Sequence, residues 1–183
     1  RPPAEAPTVT FVDITKAAGI DFIHESGAYG DKLLPETMGG GGGFLDYDSD
    51  GDQDILLVNA TRWPWDPRPA VEPATMKLFR NDGSGQFEDV TNEAGLNDSF
   101  YGMGCAFGDF DNDGDIDLFF SAVGPNKLYR NDGVKFTDIT DTAQVAGDTS
   151  AWGSSCAWFD YNNDGLLDLY LLHTADWTLD DIN

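Results

Sequence analysis

Apolar residues in this chain fall in short runs that polar stretches interrupt. Ile55-Leu56-Leu57-Val58, Leu118-Phe119-Phe120 and Leu169-Tyr170-Leu171-Leu172 each follow an acidic segment. Runs of this length, rich in aromatic and aliphatic residues and bounded by turn residues, predict strands rather than helical stripes. One stretch shows a whole unit. Strands are predicted near residues 103–107, 116–122, 127–130 and 135–139, with an acidic loop between the first two. Asn131-Asp132-Gly133 separates the last two, and Asn81-Asp82-Gly83 stands at the matching place earlier. Asn, Asp and Gly tolerate the positive φ of tight hairpins, so both tripeptides predict hairpin turns.

The unit repeats. FVDITKAAGI from Phe11, FEDVTNEAGL from Phe87 and FTDITDTAQV from Phe136 are copies of one segment. KLFRNDGSGQF from Lys77 and KLYRNDGVKF from Lys127 are copies of another. Four antiparallel strands recurring every ~50 residues predict β-propeller blades. A sandwich would leave the repetition unexplained. The expected fold is all-β: a partial β-propeller of four-stranded antiparallel blades, with the acidic loops between strands one and two. Residues 1–8 read as a tail and residues 9–183 as an incomplete propeller with two complete blades. The strand count is eleven: a lone fourth-type strand at residues 11–15, two full sets, and strands one and two of another. Closed propellers have ~4–8 blades. The expectation is therefore that the remainder of a longer polypeptide, or other copies, complete the ring, with residues 11–15 closing its last blade.

Charge sharpens this picture. Asp and Glu number 33 against 10 Lys and Arg, a formal net charge of −23. That argues against a nucleic-acid partner, which needs a basic face. No apolar run approaches the ~20 residues of a membrane span, and the first residues carry no signal-peptide pattern. Aromatic content of 13% argues against disorder.

The acids cluster in three loops of one register. DYDSDGDQD holds Asp46, Asp48, Asp50, Asp52 and Asp54; DFDNDGDID holds Asp109, Asp111, Asp113, Asp115 and Asp117. DYNNDGLLD holds Asp160, Asn162, Asp164 and Asp168, with Leu166 at the seventh position. Gly51, Gly114 and Gly165 occupy the sixth. Carboxylates this close repel one another unless a cation lies between them. Oxygen ligands at positions 1, 3, 5 and 9, a backbone carbonyl at 7 and a Gly for the sharp turn suit Ca²⁺. Mg²⁺ demands tighter octahedral geometry, and zinc would want His or Cys. Three Ca²⁺ sites are expected, the third with the least negative charge. The opposing reading is three solvated Asx turns, against which the threefold register argues. An EF-hand is excluded, because position 12 is Leu57, Phe120 or Leu171 rather than Glu.

The acidic loops resemble those of FG-GAP and VCBS repeats, the integrin α-subunit type of propeller. The stretch AGIDFIHESGAYGDKLLPETMGGGGGFLDYDSDGDQDILLVN, with the FxDVTxxAG and LYRNDG segments, is similar to the cartilage acidic protein family with its ASPIC/UnbV C-terminal domain. The resemblance covers nearly all of residues 9–175. It implies a calcium-binding propeller that is secreted, at the cell surface or periplasmic, and several hundred further residues. It supplies no substrate.

Other candidates are weaker. The insertion Arg62-Trp63-Pro64-Trp65-Asp66-Pro67-Arg68-Pro69 is rich in Trp and Pro, and Trp177 is the register mate of Trp63. Arg62, Trp63, Trp65 and Trp177 could stack on a sugar ring or peptide; the favoured alternative is packing over the blades. His24, with Glu25, Lys32 and Glu36 nearby, is a weak general-base candidate beside a structural reading, and His173 has the same structural default. Residues 39–43 are glycines suited to close strand approach. Cys105 and Cys156 are register mates, expected too far apart for the ~5.5 Å Cα separation of a disulfide and so read as free thiols. Asn59-Ala60-Thr61 and Asn97-Asp98-Ser99 are glycosylation sequons. The function expected is a non-enzymatic extracellular module for adhesion or for a glycan or protein ligand. The alternative is the propeller portion of a secreted polysaccharide lyase or hydrolase.

Overall fold

A computed structural model describes residues 9–69 and 71–176. Two four-stranded antiparallel meanders follow one another, and a two-stranded hairpin follows them. The first sheet comprises β1 (Gly42–Leu45), β2 (Asp54–Leu57), β3 (Lys77–Asn81) and β4 (Phe87–Asp89), paired in chain order. The second comprises β5 (Tyr101–Gly108), β6 (Asp117–Val123), β7 (Lys127–Asn131) and β8 (Phe136–Asp138), also paired in chain order. The hairpin is β9 (Ala151–Phe159) and β10 (Asp168–Asp176). Its ladder pairing with the second sheet is the single pair Val123 and Trp152, and the rest of β9 packs against β5 and β6, with Trp158 edge-on to Phe119. The protein is thus all-β with antiparallel sheets, an arrangement consistent with a β-propeller. The described residues do not close a ring.

Burial follows from stacking. In β2, buried Asp54 and Leu56 alternate with half-buried Ile55 and Leu57. In β6, every residue from Asp117 to Ala122 is buried, because β6 has a neighbour on both faces. Leu45, Leu56, Leu78, Leu96, Leu118, Phe120, Tyr129 and Phe136 form the core shared by the two sheets. Full burial of such side chains contributes about 1.5–3 kcal/mol each.

Glycine sets how closely the first strands of each unit approach. A Cβ on Gly41 would lie 3.3 Å from Gly104 Cα, and one on Gly104 would lie 3.2 Å from Ser155 Cα. Gly41, Gly104 and Ser155 each lie five residues before the first acid of their loop. The Gly41 N–H donates to the Met103 carbonyl at 2.6 Å. The close approach expected of residues 39–43 is therefore present at Gly41.

The FxDxTxxAG segment docks each unit on the next. Thr91 and Thr140 accept the N–H of Leu78 and Leu128 in the adjacent strand at 3.0 and 2.9 Å. The corner that follows turns its carbonyl forward: Ala18 O accepts Phe87 N–H, and Ala94 O accepts Phe136 N–H, both at 2.8 Å. Gly19 and Gly95 both have φ of 83°, and a Cβ would lie 2.7 Å and 2.9 Å from the Phe87 and Phe136 carbonyl oxygens.

One expected strand is absent. Residues 11–15 keep the motif's local bonds, with Thr15 N–H donating to Asp13 Oδ1 at 2.9 Å, yet form no strand. Phe11 is 92% exposed. A strand exists only with a ladder partner, and among the described residues this segment has none. Among the described residues there are ten strands.

Candidate metal centres

The three acidic loops fold into one turn. The fourth residue takes left-handed backbone in each: φ is 58° at Ser49, 58° at Asn112 and 61° at Asn163. The sixth does so as well: Gly51 at 94°, Gly114 at 100° and Gly165 at 88°. This winds the chain around its first acid. Asp46 accepts the N–H of Asp50 and Gly51, each at 3.1 Å. Asp109 accepts those of Asp113 and Gly114, each at 3.0 Å. Asp160 accepts those of Asp164 and Gly165 at 3.1 and 2.8 Å.

The turn draws acids together. Asp46, Asp48 and Asp50 each offer an oxygen to one locus, all within 4.8 Å of one another, and Asp109, Asp111 and Asp117 do the same. Asp48 Oδ1 is buried without a hydrogen-bond partner among the described residues. A buried carboxylate oxygen in that state lacks the cation or donor that carboxylates require. Asp48 and Asp111 are held above the ordinary carboxylate range, by burial first and then by the charges of Asp50 and Asp113. Burial likewise raises Asp54, and it raises Asp117 to about 6, against the opposing pull of their backbone N–H bonds.

The ninth position closes each of the first two loops. Asp54 is fully buried and accepts Tyr47 N–H at 3.0 Å and Asn81 N–H at 2.8 Å. Asp117 is fully buried and accepts Phe110 N–H at 3.0 Å and Asn131 N–H at 2.8 Å. In the third loop Asp168 is half-buried and accepts Tyr161 N–H at 3.0 Å. There the Asn162 amide donates to Asp164 Oδ2 at 3.0 Å, so a neutral donor meets an acid where the other loops place a second carboxylate. Among the described residues the third loop gathers no group of three acids. Asp52 and Asp115, at the seventh position, donate their N–H groups to Asp50 and Asp113 at 2.9 Å; Leu166 donates likewise to Asp164 at 2.9 Å. Oxygen clusters of this kind suit a hard divalent cation.

The tryptophan insertion packs on residues outside the three acidic loops. Trp63 is buried and stacks between Trp65 at 5.2 Å and Tyr101 at 4.3 Å. Its Nε1 donates to Glu36 Oε1 at 2.8 Å. Packing, the favoured alternative, accounts for Trp63. Trp65, Pro64, Phe100, Tyr101, Pro125 and Ser150 line a cleft of about 480 Å³ beside it. Arg62 donates to the Pro69 carbonyl at 3.0 Å and faces Glu25 at 3.7 Å. Trp177 lies outside the described residues.

His24 Nε2 accepts Gly40 N–H at 3.2 Å, a structural bond. Cys105 and Cys156 are both free. Cys105 packs against the core shared by the two sheets, while Cys156 Sγ lies 3.8 Å from the Phe119 carbonyl on the β9 side. Burial, with a smaller contribution from Cys156, pushes the Cys105 thiol up to about 12. Asn59 of the first sequon is buried and accepts Glu25 N–H at 2.8 Å, whereas Asn97 of the second is exposed.

Sequence reasoning missed Asn81 and Asn131 as supports of the acids, treating them only as turn residues. Their recurrence at one place in both KLxRNDG copies was the available signal.

A family model of the FG-GAP-like repeat matches residues 46–120 and 109–171. Cartilage acidic protein 1 of Xenopus tropicalis is 28% identical over 172 residues, covering 90% of this chain and 23% of that protein. The chain therefore spans about a quarter of the relative's length. With three turns of one geometry, two converging acid groups and a repeat match over most of its length, the chain belongs to the FG-GAP-like repeat family.

Proposed function

We propose that this chain is a calcium-binding extracellular β-propeller module that acts in adhesion or in binding a partner. The observation that carries the metal reading is Asp48 Oδ1, buried and unpaired inside a group of three converging carboxylates. Asp46, Asp48, Asp50 and Asp54 would hold the first ion, and Asp109, Asp111, Asp113 and Asp117 the second. The carbonyls of Asp52 and Asp115 complete these sets. Asp160, Asn162, Asp164, Asp168 and the Leu166 carbonyl would hold a third, weaker ion. Bound Ca²⁺ neutralises charge and ties each hairpin between strands one and two; the chain's own part is to present the acids in a preformed turn.

The extracellular setting is supported by the repeat family and by the similarity to cartilage acidic protein 1. No helix among the described residues is long and apolar enough to cross a membrane. Outward apolar faces support the reading that further blades pack on both flanks, from the same polypeptide or from other copies. Phe44 is 68% exposed on the first sheet, and Tyr170 is 51% exposed on β10. The cleft beside Trp65 is the proposed place for a glycan or protein ligand. Calcium titration by calorimetry after chelator treatment tests the metal reading. At least two ions are expected in the folded chain, and fewer would sink it.

A further inference from the structure

One fully buried side chain touches both converging loops. Asn131, the last residue of β7, is 0% exposed. Its Nδ2 donates to the Tyr47 carbonyl of the first loop at 2.8 Å and to the Ile116 carbonyl of the second at 3.3 Å. Its backbone N–H donates to Asp117 Oδ1 at 2.8 Å. Tyr47 lies between Asp46 and Asp48, and its own N–H donates to Asp54 Oδ2 at 3.0 Å. Asn131 therefore holds the peptide between two converging acids of one loop and the terminal acid of the other. Its Oδ1 is buried without a partner among the described residues, so these two carbonyls are what orient the amide.

The neighbouring contacts differ. Asn81, the equivalent residue of the first sheet, donates through Nδ2 to Gln53 O of its own loop at 3.1 Å. Its Oδ1 accepts the N–H of Gly83 and Gly85. The second and third loops meet through an exposed bond from Asn112 Nδ2 to Gly165 O at 3.4 Å.

We propose that Asn131 is a positioning residue that couples cation binding in the first and second loops, so that filling one raises the affinity of the other. The inference rests on the metal reading above. A cation that draws in Asp46 and Asp48 fixes the Tyr47 peptide between them. A fixed Tyr47 carbonyl fixes the Asn131 amide, which in turn holds Ile116 and presents Asp117. Close packing makes such a chain of contacts stiff, and linkage makes the coupling equal in both directions.

The test is a calcium titration of the chelator-stripped full chain, followed by NMR. The Gly51 and Gly114 amide signals report the first and second loops separately, because each donates to its own loop's first acid. In the wild type both signals are expected to move over one concentration range, with a Hill slope above about 1. Asp48→Asn cripples the first loop and leaves Asn131 intact. It is expected to raise the Gly114 midpoint about fivefold, the low end of ordinary coupling. Asn131→Ser is expected to leave both loops binding but independently. A Gly114 midpoint unmoved by Asp48→Asn overturns the proposal and leaves the metal reading standing. Absence of any shift at either glycine overturns both. Should Asn131→Ser fail to fold, the wild type against Asp48→Asn still decides.

Discussion

Asp117 in the second loop and Asp168 in the third hold the same place in one acidic motif, yet they live differently. Asp117 is fully buried and bonded to two backbone N–H groups, one of them from Asn131 on the third strand of its own sheet. Among the described residues, Asp168 is half-buried and accepts one N–H, from Tyr161 inside its own loop. The local turn forms in both, so it needs only its own residues. Among the described residues, a third strand and a stacked sheet bury the ninth position of the first two loops and hold it. Repetition in sequence thus specifies the turn, while the surrounding sheet finishes the site.

The largest effect is expected from removing the ion altogether. A ligand bound only by the folded chain stabilises it by about 2.7 kcal/mol per site at a hundredfold excess over Kd. Excess chelator should lower the calorimetric melting temperature by many degrees; an unchanged melt would mean that the loops hold no stabilising ion and would remove the metal from the comparison. Next comes the closing acid. In chelator, Asp117→Ala leaves two buried N–H groups unsatisfied and is expected to cost about 3 kcal/mol by denaturant unfolding. Asp168→Ala, losing one half-exposed bond, should cost about 1 kcal/mol or less. Equal losses would break the comparison. Asn162→Asp supplies the missing carboxylate, and calcium titration followed at the Gly165 amide should show several-fold tighter binding in the third loop. No change there would show that Asn162 does not limit cation binding in that loop.

The smallest effect concerns acid. Burial alone would raise Asp138, but bonds from Lys127 and Thr140 hold it below the ordinary carboxylate value, and Asp89 is held down likewise by Lys77 and Thr91. A depressed folded value contributes stability that is present above the unfolded carboxylate pKa near 4. That stability is lost as pH falls through the folded value. The Lys127–Asp138 clasp joins β8 to β7, which carries Asn131. Chelator-treated protein should therefore lose stability below about pH 4, and Asp138→Asn should remove part of that loss, about 1 kcal/mol or less for so accessible a pair. A pH profile identical in Asp138→Asn would refute the clasp.

Much of the fold was legible because its signals are local. The predicted strands at residues 103–107 and 127–130 fall inside β5 and β7. The hairpin tripeptides and acid spacing needed only near neighbours. Residues 11–15 keep the motif but form no strand, because a strand requires a partner that the described residues do not provide. The partners of buried Trp63 were not legible, because Glu36 and Tyr101 are each far away in sequence.

What the sequence by itself determined was therefore the set of turns: Asp46, Asp109 and Asp160 each cap N–H groups four and five residues on, whatever lies beyond. Asx side chains and a sixth-position glycine specify that geometry through bonds a few residues long. Only the tertiary structure decided which acids are buried and which are joined. The Asn131 bond to Tyr47 spans 84 positions and exists because one sheet stacks on another. Among the described residues, stacking removes water from Asp54 and Asp117 and leaves Asp168 half in it, so one repeated motif gives closing acids of unequal burial.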